Sequence, residues 1–559
     1  MNVRFGAFEV DLEGRRLLKR GMPITLREQS FQVLAALMER PGEIVTRDEL
    51  RQRLWSSDTF VDFEVALNSA VSRLRDALGD SANSPSVIET IPKRGYRFVV
   101  PIPKRPAVAV MPFVNQTADA KDDSFSDGLA DELIRVLSRI DGLRVTARSV
   151  AFRFKGQRWD ARQVGRELGL EAVLEGSVWR SADRIRITVS LVGVKDGFSL
   201  WAQRFDSNLG DLFDIQDKVC TAVAEALHVR LAVRVPESRP SNVRAYVPYL
   251  KGTHLLKKRR PDDVRRAFEY FQEAIRLDPN FAEPYYGAAM YYNVSAAYGA
   301  LPPRSALPQA EDLLSKGLAL DETSSSLHST LGMLRVFQWR WVEAEQAYKR
   351  AISLEPTNAF PHMAYPILCS FLGRHDEALL HASKAVELEP LDLMTNFRLL
   401  QANYYSRRYD EATRTGRIAL ELTPDSPYTC FYVALSLAAL GLRDEAWSTA
   451  NKGRKLNDGL PLGEGYFGYV AGALGQTAEA RGLIGELQGR RQRDYSPALP
   501  IAWTYLGLGE TASALEWMET ALADRDPFLG SAMVFPAYDA VRDHARFKRL
   551  VHELKLSAL

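Results

Sequence analysis

The 559-residue sequence has few of the features that mark secreted or membrane proteins. Its three cysteines, Cys220, Cys369 and Cys430, are far apart and odd in number, which argues against a disulfide framework and fits a reducing compartment. The longest apolar run, at 431–442, falls well short of the roughly 20 residues that span a bilayer, and the N-terminus lacks the apolar stretch of a secretory signal. We therefore expect a soluble, cytoplasmic protein that makes no contact with a membrane.

The sequence also lacks an excess of positive or negative charge and a recognisable set of catalytic residues. The 72 Lys and Arg residues nearly balance the 70 Asp and Glu residues, so that affinity for nucleic acid would have to come from a local patch. There is no phosphate-binding glycine loop, and His375 and His381 are six residues apart, which does not place them on one helix face. We expect no enzyme activity, no cofactor and no metal.

One acidic cluster allows two interpretations. The cluster consists of Asp122, Asp123, Asp127, Asp131 and Glu132. Its position at the start of a predicted helix suits the helix dipole and needs no metal, and a weak cation site is the less favoured alternative.

A repeat of 34 residues organises the C-terminal half. Alanines recur at this spacing from Ala310 to Ala514, and Ala267 lies 43 residues before the first of them. Glycines at 373, 441, 475 and 509 lie five residues before the alanine, and acidic-proline pairs such as Glu355-Pro356 end the unit. Small residues let paired helices approach closely, glycine breaks the chain between them and proline ends the second helix.

This pattern resembles the tetratricopeptide repeat. The resemblance implies eight helix pairs over about 245–530, with an insertion near 293–305 and a loop over Tyr298–Pro308. We expect the tail at 531–559 to form a closing helix, His544–Leu556, that caps the stack. A superhelix of this kind offers a concave groove for a protein or peptide partner, and a scaffold that only spaces domains or self-associates is the alternative.

The first hundred residues predict short strands, three helices and a final hairpin. Two capping boxes, Thr25-x-x-Glu28 and Thr46-x-x-Glu49, would open the first two helices, and the loop at 56–64 precedes the third, from about Glu64 to Leu78. In the third helix, five apolar residues should pack inward: Leu67, Ala70, Val71, Leu74 and Leu78. Its other face is small, polar and cationic, which suits insertion into a major groove, and it carries Asn68, Ser69, Ser72, Arg73 and Arg75.

The final hairpin at 87–100 is basic at its tip. Its predicted turn is Arg94-Gly95, with Lys93, Arg94 and Arg97 around it, and Tyr96 on its apolar side. Between 65 and 105 there are seven Lys or Arg against three Asp or Glu, an excess that the rest of the chain does not share.

This segment resembles the OmpR/PhoB-type winged helix of CadC- and ToxR-like regulators. The resemblance rests on PGEIVTRDELRQRLW at 41–55, LNSAVSRLRDALGD at 67–80 and IETIPKRGYRF at 88–98. It implies that the third helix reads the major groove of double-stranded DNA through Asn68, Ser69, Ser72 and Arg73. Phosphates would be held by Arg75, Lys93, Arg94, Tyr96 and Arg97.

Other roles for these residues remain open. Arg73 or Arg75 could pair with a nearby aspartate, Tyr96 could be half-buried in the hairpin, and Asn68 could fix the preceding loop. The sequence departs from the regulators that it resembles in two respects, because no receiver domain precedes the winged helix and no membrane span follows it. We therefore do not expect control by a phosphorylated receiver in the same chain, or a membrane-embedded sensor.

Between residues 106 and 235 the pattern becomes mixed α/β. Strands are predicted at 107–115, 143–148, 172–181, 184–193 and 199–206, and helices at 127–140, 161–168 and 212–227. The motifs VMPF, FSDGLADEL, LEGSV and LWAQRFD resemble the TolB N-terminal-like domain, and they indicate a fold rather than an activity.

The sequence thus predicts a multidomain chain with three architectures. An α+β winged helix-turn-helix domain at 1–105 is followed by a mixed α/β domain at 106–235, an all-α tetratricopeptide solenoid at 245–530 and a capping helix at 531–559. The corresponding function is that of a one-component transcriptional regulator that binds DNA and is controlled by a protein or peptide partner. A homodimer on DNA is compatible with this function. The alternative is an interaction scaffold whose winged helix does not bind DNA.

Overall fold

The computed structural model describes most of the chain in two compact units, Met1–Arg105 and Pro106–Leu559. The described residues are 2–5, 8–11, 14–19, 22–54, 63–100, 105–117, 122–140, 142–181, 183–229, 239–258 and 260–556. Most of the loop predicted at 56–64, the basic residue Lys104 and the expected boundary at residue 235 lie outside the described residues.

The N-terminal unit combines three helices with two antiparallel sheets. One sheet has the order β1-β2-β3-β4 and the other has the order β5-β7-β6. The elements are β1 (Asn2–Phe5), β2 (Phe8–Asp11), β3 (Arg16–Lys19), β4 (Met22–Ile24), α1 (Glu28–Glu39), β5 (Ile44–Thr46), α2 (Arg47–Leu54), α3 (Phe63–Leu78), β6 (Ile88–Ile91) and β7 (Gly95–Phe98).

Of the two predicted capping boxes, one forms. The carboxylate of Glu49 accepts the N–H of Thr46 at 2.7 Å, and the Thr46 hydroxyl accepts the N–H of Glu49 at 3.2 Å, so α2 begins as predicted. The prediction of a box at Thr25 is wrong, because α1 begins only at Glu28, after Arg27, and no side chain caps it.

The inward face predicted for α3 is confirmed. Leu67, Ala70, Val71, Leu74 and Leu78 are all buried, and they belong to one core with α1, β5 and the β6–β7 hairpin. This packing fixes α3 against the hairpin and leaves its opposite side exposed.

The second unit begins with an α/β domain built on a six-stranded sheet. The strand order is β10-β8-β11-β12-β13, with β9 also paired to β11; β8, β9 and β10 run parallel to their partners and β11–β12–β13 are antiparallel. The elements are β8 (Ala107–Val110), β9 (Val114–Asn115), α4 (Asp123–Leu137), β10 (Arg144–Val145), α5 (Arg148–Phe152), α6 (Ala161–Leu168), β11 (Ala172–Ser181), β12 (Arg184–Gly193), β13 (Ser199–Asn208) and α7 (Leu212–Ala226).

Most of the predicted elements of this domain form, with three differences. The strand predicted at 107–115 is two short strands separated at Met111–Phe113, where Pro112 has no N–H to donate. The helix α4 begins four residues before the predicted start at Asp127, and the short helix α5 was not predicted.

Eight antiparallel helix pairs follow, as the repeat predicts. The pairs are α8 (Tyr246–Lys258) with α9 (Pro261–Leu277), α10 (Glu283–Ala297) with α11 (Pro303–Leu320), α12 (Ser325–Phe337) with α13 (Trp341–Leu354), α14 (Ala359–Phe371) with α15 (His375–Leu388), α16 (Leu393–Tyr405) with α17 (Tyr409–Leu422), α18 (Pro427–Ala439) with α19 (Arg443–Leu456), α20 (Pro461–Ala473) with α21 (Thr477–Arg493) and α22 (Leu499–Gly507) with α23 (Thr511–Asp524). We refer to the even-numbered member of each pair as its first helix.

The periodic residues have the roles that their chemistry suggests. Every alanine of the 34-residue series is buried in the second helix of its pair, where a larger side chain would hold the helices apart. The recurring glycine has a positive φ, 78° at Gly441, which the turn between helices requires. Where the series lacks glycine, Trp339 and Arg407 adopt the same left-handed conformation, with φ of 62° and 60°.

The predicted insertion is mostly helical. The loop expected over Tyr298–Pro308 is limited to five residues, because α11 already begins at Pro303 and includes Pro308. Pro303, at the first position of α11, loses no hydrogen bond that the helix could make. Pro308 lies inside the helix and cannot donate to the carbonyl four residues earlier, but α11 continues through it.

The tail does more than cap the stack. Its helix α24 (Ala545–Glu553) forms close to the predicted place, but two 3-10 helices, Pro527–Met533 and Pro536–Val541, precede it and fill the inside of the superhelix. Phe528 lies 6.4 Å from Phe337, and Phe535 lies 5.1 Å from Trp503, both measured between ring centroids. The prediction of a capping helix over 531–559 is therefore corrected: two 3-10 helices pack inside the superhelix, and a single helix follows them.

The α/β domain and the helix pairs share one continuous core rather than packing as two separate domains. The acidic cluster lies at their junction, where α4 contacts α8. Lys251 of α8 donates to Asp122 at 2.9 Å, and Arg180 of β11 donates to the same carboxylate at 2.7 Å. Asp122 and Asp123 lie at the start of α4, as predicted, whereas Asp127, Asp131 and Glu132 lie farther along the helix, are buried and contact basic side chains.

Two further contacts join the domain to successive repeats. Arg139 pairs with Glu355 at 2.9 Å, and the backbone N–H of Ser149 donates to Glu389 at 2.9 Å. Glu355 and Glu389 are the acidic residues of two acidic-proline pairs, 34 residues apart. The α/β domain therefore contacts two successive repeats at equivalent positions.

The buried pair at α4 should contribute strongly to stability. Burial alone would raise the pKa of Asp122, but the hydrogen bonds from Arg180 and Lys251 outweigh it and hold the pKa below its usual value. A carboxyl whose pKa is lower in the folded state stabilises the fold above its unfolded pKa of about 3.9, and this stabilisation is lost as the pH falls through the folded value.

We therefore expect Lys251→Met to lower the free energy of unfolding of the second unit by about 2 kcal/mol at neutral pH. The difference from the unsubstituted protein should shrink below about pH 4, as Asp122 takes up a proton. Urea titrations between pH 7 and pH 3.5 measure both effects. Lys257→Met is the matched control, because Lys257 makes a partly exposed pair with Asp131 and its loss should cost less than about 1 kcal/mol. Equal losses in the two variants would contradict the expectation.

Candidate nucleic-acid interface

The outer side of α3 and the tip of the β6–β7 hairpin form the candidate surface. Asn68, Ser69 and Ser72 are exposed on α3, and Lys93 and Arg94 are exposed at the hairpin tip. These five side chains are exposed on the helix face and at the hairpin tip, as the sequence predicts. Their roles toward DNA remain predictions.

Asn68 is held in place by two neighbours. The Tyr96 hydroxyl donates to its Oδ1 at 2.7 Å, and Arg47 of α2 approaches the same oxygen at 3.3 Å. Arg47 also pairs with Glu64 at 2.5 Å and lies over the ring of Tyr96, with 5.2 Å from its guanidinium carbon to the ring centroid. The amide oxygen of Asn68 is therefore occupied inside the domain, and the amide nitrogen is the group that it can offer to an acceptor outside.

Arg73 differs from the three small polar residues beside it. Its side chain is partly buried against the helix, and its Nε is buried with no hydrogen-bond partner among the described residues. A buried unpaired donor is costly, so the side chain gains by moving toward an acceptor when one is close.

The structure corrects the position of Arg75, which is 9% exposed. Its Nη2 donates to the carbonyl of Ile88 at 2.7 Å and to the Thr90 hydroxyl at 2.9 Å. The side chain thus ties α3 to β6 from within, and it cannot hold a phosphate from there. The helical spacing placed Arg75 on the outer stripe correctly for an isolated helix, but β6 covers that end of α3.

Asp80 completes this internal support. It accepts the backbone N–H groups of Ser86, Val87 and Ile88, between 2.7 and 3.2 Å. Burial alone would raise the pKa of Asp80, but these hydrogen bonds outweigh it and lower the pKa below the usual value. The loop that leads from α3 into the hairpin is therefore fixed by one carboxylate.

The turn of the hairpin lies one residue earlier than predicted. It consists of residues 92–94, with Lys93 in the left-handed conformation at φ 62°, and Gly95 begins β7. Glycine is required at 95 for another reason, because a Cβ there would lie 2.1 Å from the carbonyl oxygen of Val45 on the neighbouring strand β5. This close approach fixes the hairpin against β5, and Lys93 and Arg94 are exposed at its turn.

Besides Arg75, two more of the residues predicted to hold phosphates are engaged inside the domain. Tyr96 is 2% exposed, and burial raises its pKa, so the ring belongs to the core and the hydroxyl serves Asn68. Arg97 donates to Glu89 on the paired strand at 2.7 and 2.9 Å, which neutralises its charge. Lys93 and Arg94 have no such partner among the described carboxylates.

Sequence reasoning missed Arg47, which organises Glu64, Asn68 and Tyr96. A signal was present, since Arg47 directly follows Thr46 of the capping box at 46–49 and so begins α2. What the sequence could not show is that α2 and the hairpin approach each other closely enough for one guanidinium to contact both α3 and β7.

Comparison with known families agrees with this geometry. A family described as "Transcriptional regulatory protein, C terminal" matches residues 21–98. The N-terminal unit is a winged helix of the OmpR/PhoB type. A second family, "HilA/YgeH-like transcriptional regulator, second domain", matches residues 104–222. This α/β domain thus follows the winged helix and precedes the tetratricopeptide-like solenoid.

Three individual proteins give the scale of the similarity. The chain is 34% identical over 253 residues to "Putative adenylate cyclase 3" of Rhizobium meliloti, covering 44% of this chain and 43% of that protein. It is 23% identical over 345 residues to "Transcriptional regulator HilA" of Salmonella typhimurium, covering 59% of this chain and 60% of that protein. The solved DNA-binding domain of Klebsiella pneumoniae RstA in complex with the RstA box is 32% identical. The match covers 18% of this chain and 96% of that domain, with a TM-score of 0.16.

The matches thus span about half the length of these two curated relatives, and the activity named for the first of them stays with that protein. Within the described ranges, no group of three or more His, Cys, Asp or Glu side chains could hold a metal ion. Among the described helices, none combines the length and the apolar character that crossing a membrane requires.

The internal role of Arg75 leads to a stability prediction. We expect Arg75→Met to lower the free energy of unfolding of the winged helix by about 2 kcal/mol, because the Ile88 carbonyl and the Thr90 hydroxyl lose their donor. Arg94→Met, an equal change at the exposed tip, should shift it by less than about 0.5 kcal/mol. Thermal unfolding of the full chain, followed by hydrogen exchange in residues 63–100, measures both. If the two variants are equally stable, Arg75 is not part of the internal support.

Proposed function

We propose that the chain is a sequence-specific DNA-binding transcriptional regulator. The outer side of α3 enters the major groove, and the hairpin tip contacts the DNA backbone. The observation that carries this proposal is the contrast in charge pairing: Lys93 and Arg94 have no carboxylate partner among the described residues, whereas Arg47, Arg75 and Arg97 are engaged within the domain. Unpaired cations beside a small polar helix face are what a phosphate backbone and a groove require.

The residues divide into two roles under this proposal. Asn68, Ser69, Ser72 and Arg73 face the bases, and Lys93 and Arg94 bind phosphates. Arg75, Tyr96 and Arg97 position these groups from within the domain. Two winged helices on adjacent half-sites, supplied by a homodimer, would double the contact surface.

The division of roles is tested with the full-length protein and DNA fragments selected from a genomic library. Lys93→Ala and Arg94→Ala should each weaken binding to every fragment and lower the slope of log affinity against log salt by about one. Arg73→Ala should instead relax the preference among fragments by about 1–3 kcal/mol at the position that it reads. Filter binding or fluorescence anisotropy at several salt concentrations gives both quantities.

Lys19→Ala is the control for charge alone, because Lys19 lies on the first sheet over the ring of Phe8. It should leave the sequence preference unchanged. Equal, sequence-independent losses from all three interface variants would contradict the two roles. Absence of salt-dependent binding in the unsubstituted protein would favour the alternative of an interaction scaffold whose winged helix does not bind DNA.

We further propose that the solenoid receives a protein or peptide partner that controls the winged helix. The support is a cavity of about 380 Å³ between α4 and the first helices of the repeats. Its lining combines apolar side chains such as Tyr286, Phe360 and Met363 with charged side chains such as Arg139 and Glu283, and with several hydroxyl groups. Because residues 527–541 occupy the inside of the superhelix, this cavity is where a short peptide segment could bind without displacing the chain itself.

A peptide selection on the full-length protein tests this role. Peptides that bind in the cavity should lose affinity at least tenfold in Phe360→Arg, since a long cation would occupy the apolar part of the cavity. The control is Leu380→Arg on α15, where Leu380 is 66% exposed and does not line the cavity. Peptides that respond equally to both variants, or to neither, would place the partner elsewhere.

A further inference from the structure

Among the described strands, β13 forms one edge of the α/β sheet. It is ten residues long and pairs with β12 along its length, from Arg184 opposite Asn208 to Val192 opposite Ser199. No described residue pairs with its other side, where it is the last strand of the sheet order. An edge of this length presents a row of backbone N–H and C=O groups that a further strand can bind.

This edge carries two charged side chains but lacks proline, which would block pairing. The one irregularity of the strand lies at the end next to Leu191 and Val192. Seven of its ten residues are exposed, and the apolar side chain of Leu200 is 49% exposed. Phe198, just before the strand, is 73% exposed. Soluble proteins normally shield such an edge, so its openness indicates a partner strand.

The charges of the strand identify that partner as a second copy. Arg204 and Asp206 are two residues apart and therefore point to the same face of the sheet, which is the face away from the buried side chain of Phe205. In an antiparallel pair related by a two-fold axis at Phe205, Arg204 of each copy lies opposite Asp206 of the other. A shift of the axis to Arg204 would place that arginine opposite itself, which is unfavourable.

We propose that β13 pairs antiparallel with β13 of a second copy of this chain, with the two-fold axis at Phe205. The two sheets then form one continuous sheet, and the Arg204–Asp206 contacts fix its register. The pairing supplies the homodimer that the proposed function needs for adjacent half-sites, and in that sense it extends that function. The pairing itself requires no DNA.

Two single substitutions that repair each other test the contact. In Arg204→Asp, positions 204 and 206 are both acidic, and in Asp206→Arg both are basic. Each variant alone would place like charges opposite one another twice across the axis, whereas a dimer of one variant with the other would place opposite charges together at both positions. We expect each variant alone to dimerise at least tenfold more weakly than the unsubstituted protein, and the equimolar mixture to form a one-to-one dimer.

The mixture separates contacts between copies from contacts within one copy. Within a copy, Arg204 pairs with Asp206 at 2.7 Å and Arg186 also contacts Asp206. Those internal contacts are disturbed identically whether a variant is alone or mixed, so recovery on mixing can come only from the contact between copies. Lys195→Glu, in the exposed turn before β13, is the control and should dimerise normally.

Native mass spectrometry and sedimentation of the full-length protein, without DNA, measure the outcome. A monomeric unsubstituted protein, unchanged dimerisation of the single variants, or a mixture that stays monomeric would each overturn the proposal. Because DNA is absent, failure here is distinct from failure of the proposed function: a dimer that binds no DNA would contradict only the latter, and a monomer that binds DNA only the former.

Discussion

The carboxylates of α4 must be neutralised for the second unit to exist as one body. Asp122, Asp127 and Asp131 are buried where the α/β domain meets the first repeat, and an uncompensated buried charge costs several kcal/mol. Lys251 and Lys257 of α8 pair with two of them, at 2.9 and 3.0 Å. The pairing joins the α/β domain to the solenoid, because separating them would expose these carboxylates and leave Lys251 without its partner.

This dependence bears on the proposed peptide site. The α/β domain also contacts Glu355 and Glu389, the same position in two successive repeats, so a change in the curvature of the solenoid would alter the spacing of its two contacts. The cavity lies between these contacts and α4. A segment bound there, as we propose, would contact both parts at once.

In the winged helix, the basic residues near the candidate surface differ in whether they are paired. Arg47, Arg75 and Arg97 are each committed to a partner inside the domain. Lys93 and Arg94 project from a turn that Gly95 holds against β5. The positive potential at the tip therefore depends as much on the neutralisation of its neighbours as on the two residues themselves.

The sequence by itself determined the features that depend on local order. The 34-residue period specified eight helix pairs, because alanine, glycine and proline act on their own turn of chain, and the apolar spacing specified the inward face of α3. Most strand and helix positions in the α/β domain followed from periodicity in the same way. These are properties of a short stretch of chain, whatever packs against it.

Only the tertiary structure decided which polar residues are exposed and which are structural. Arg75 and Ser72 are neighbours on α3, yet β6 covers one and not the other. The acidic cluster pairs with α8, more than a hundred residues away, and the tail at 527–541 fills a superhelix whose interior the repeat pattern leaves open. Contacts between residues distant in the chain carry no local signature, so their outcome depends on how the elements pack.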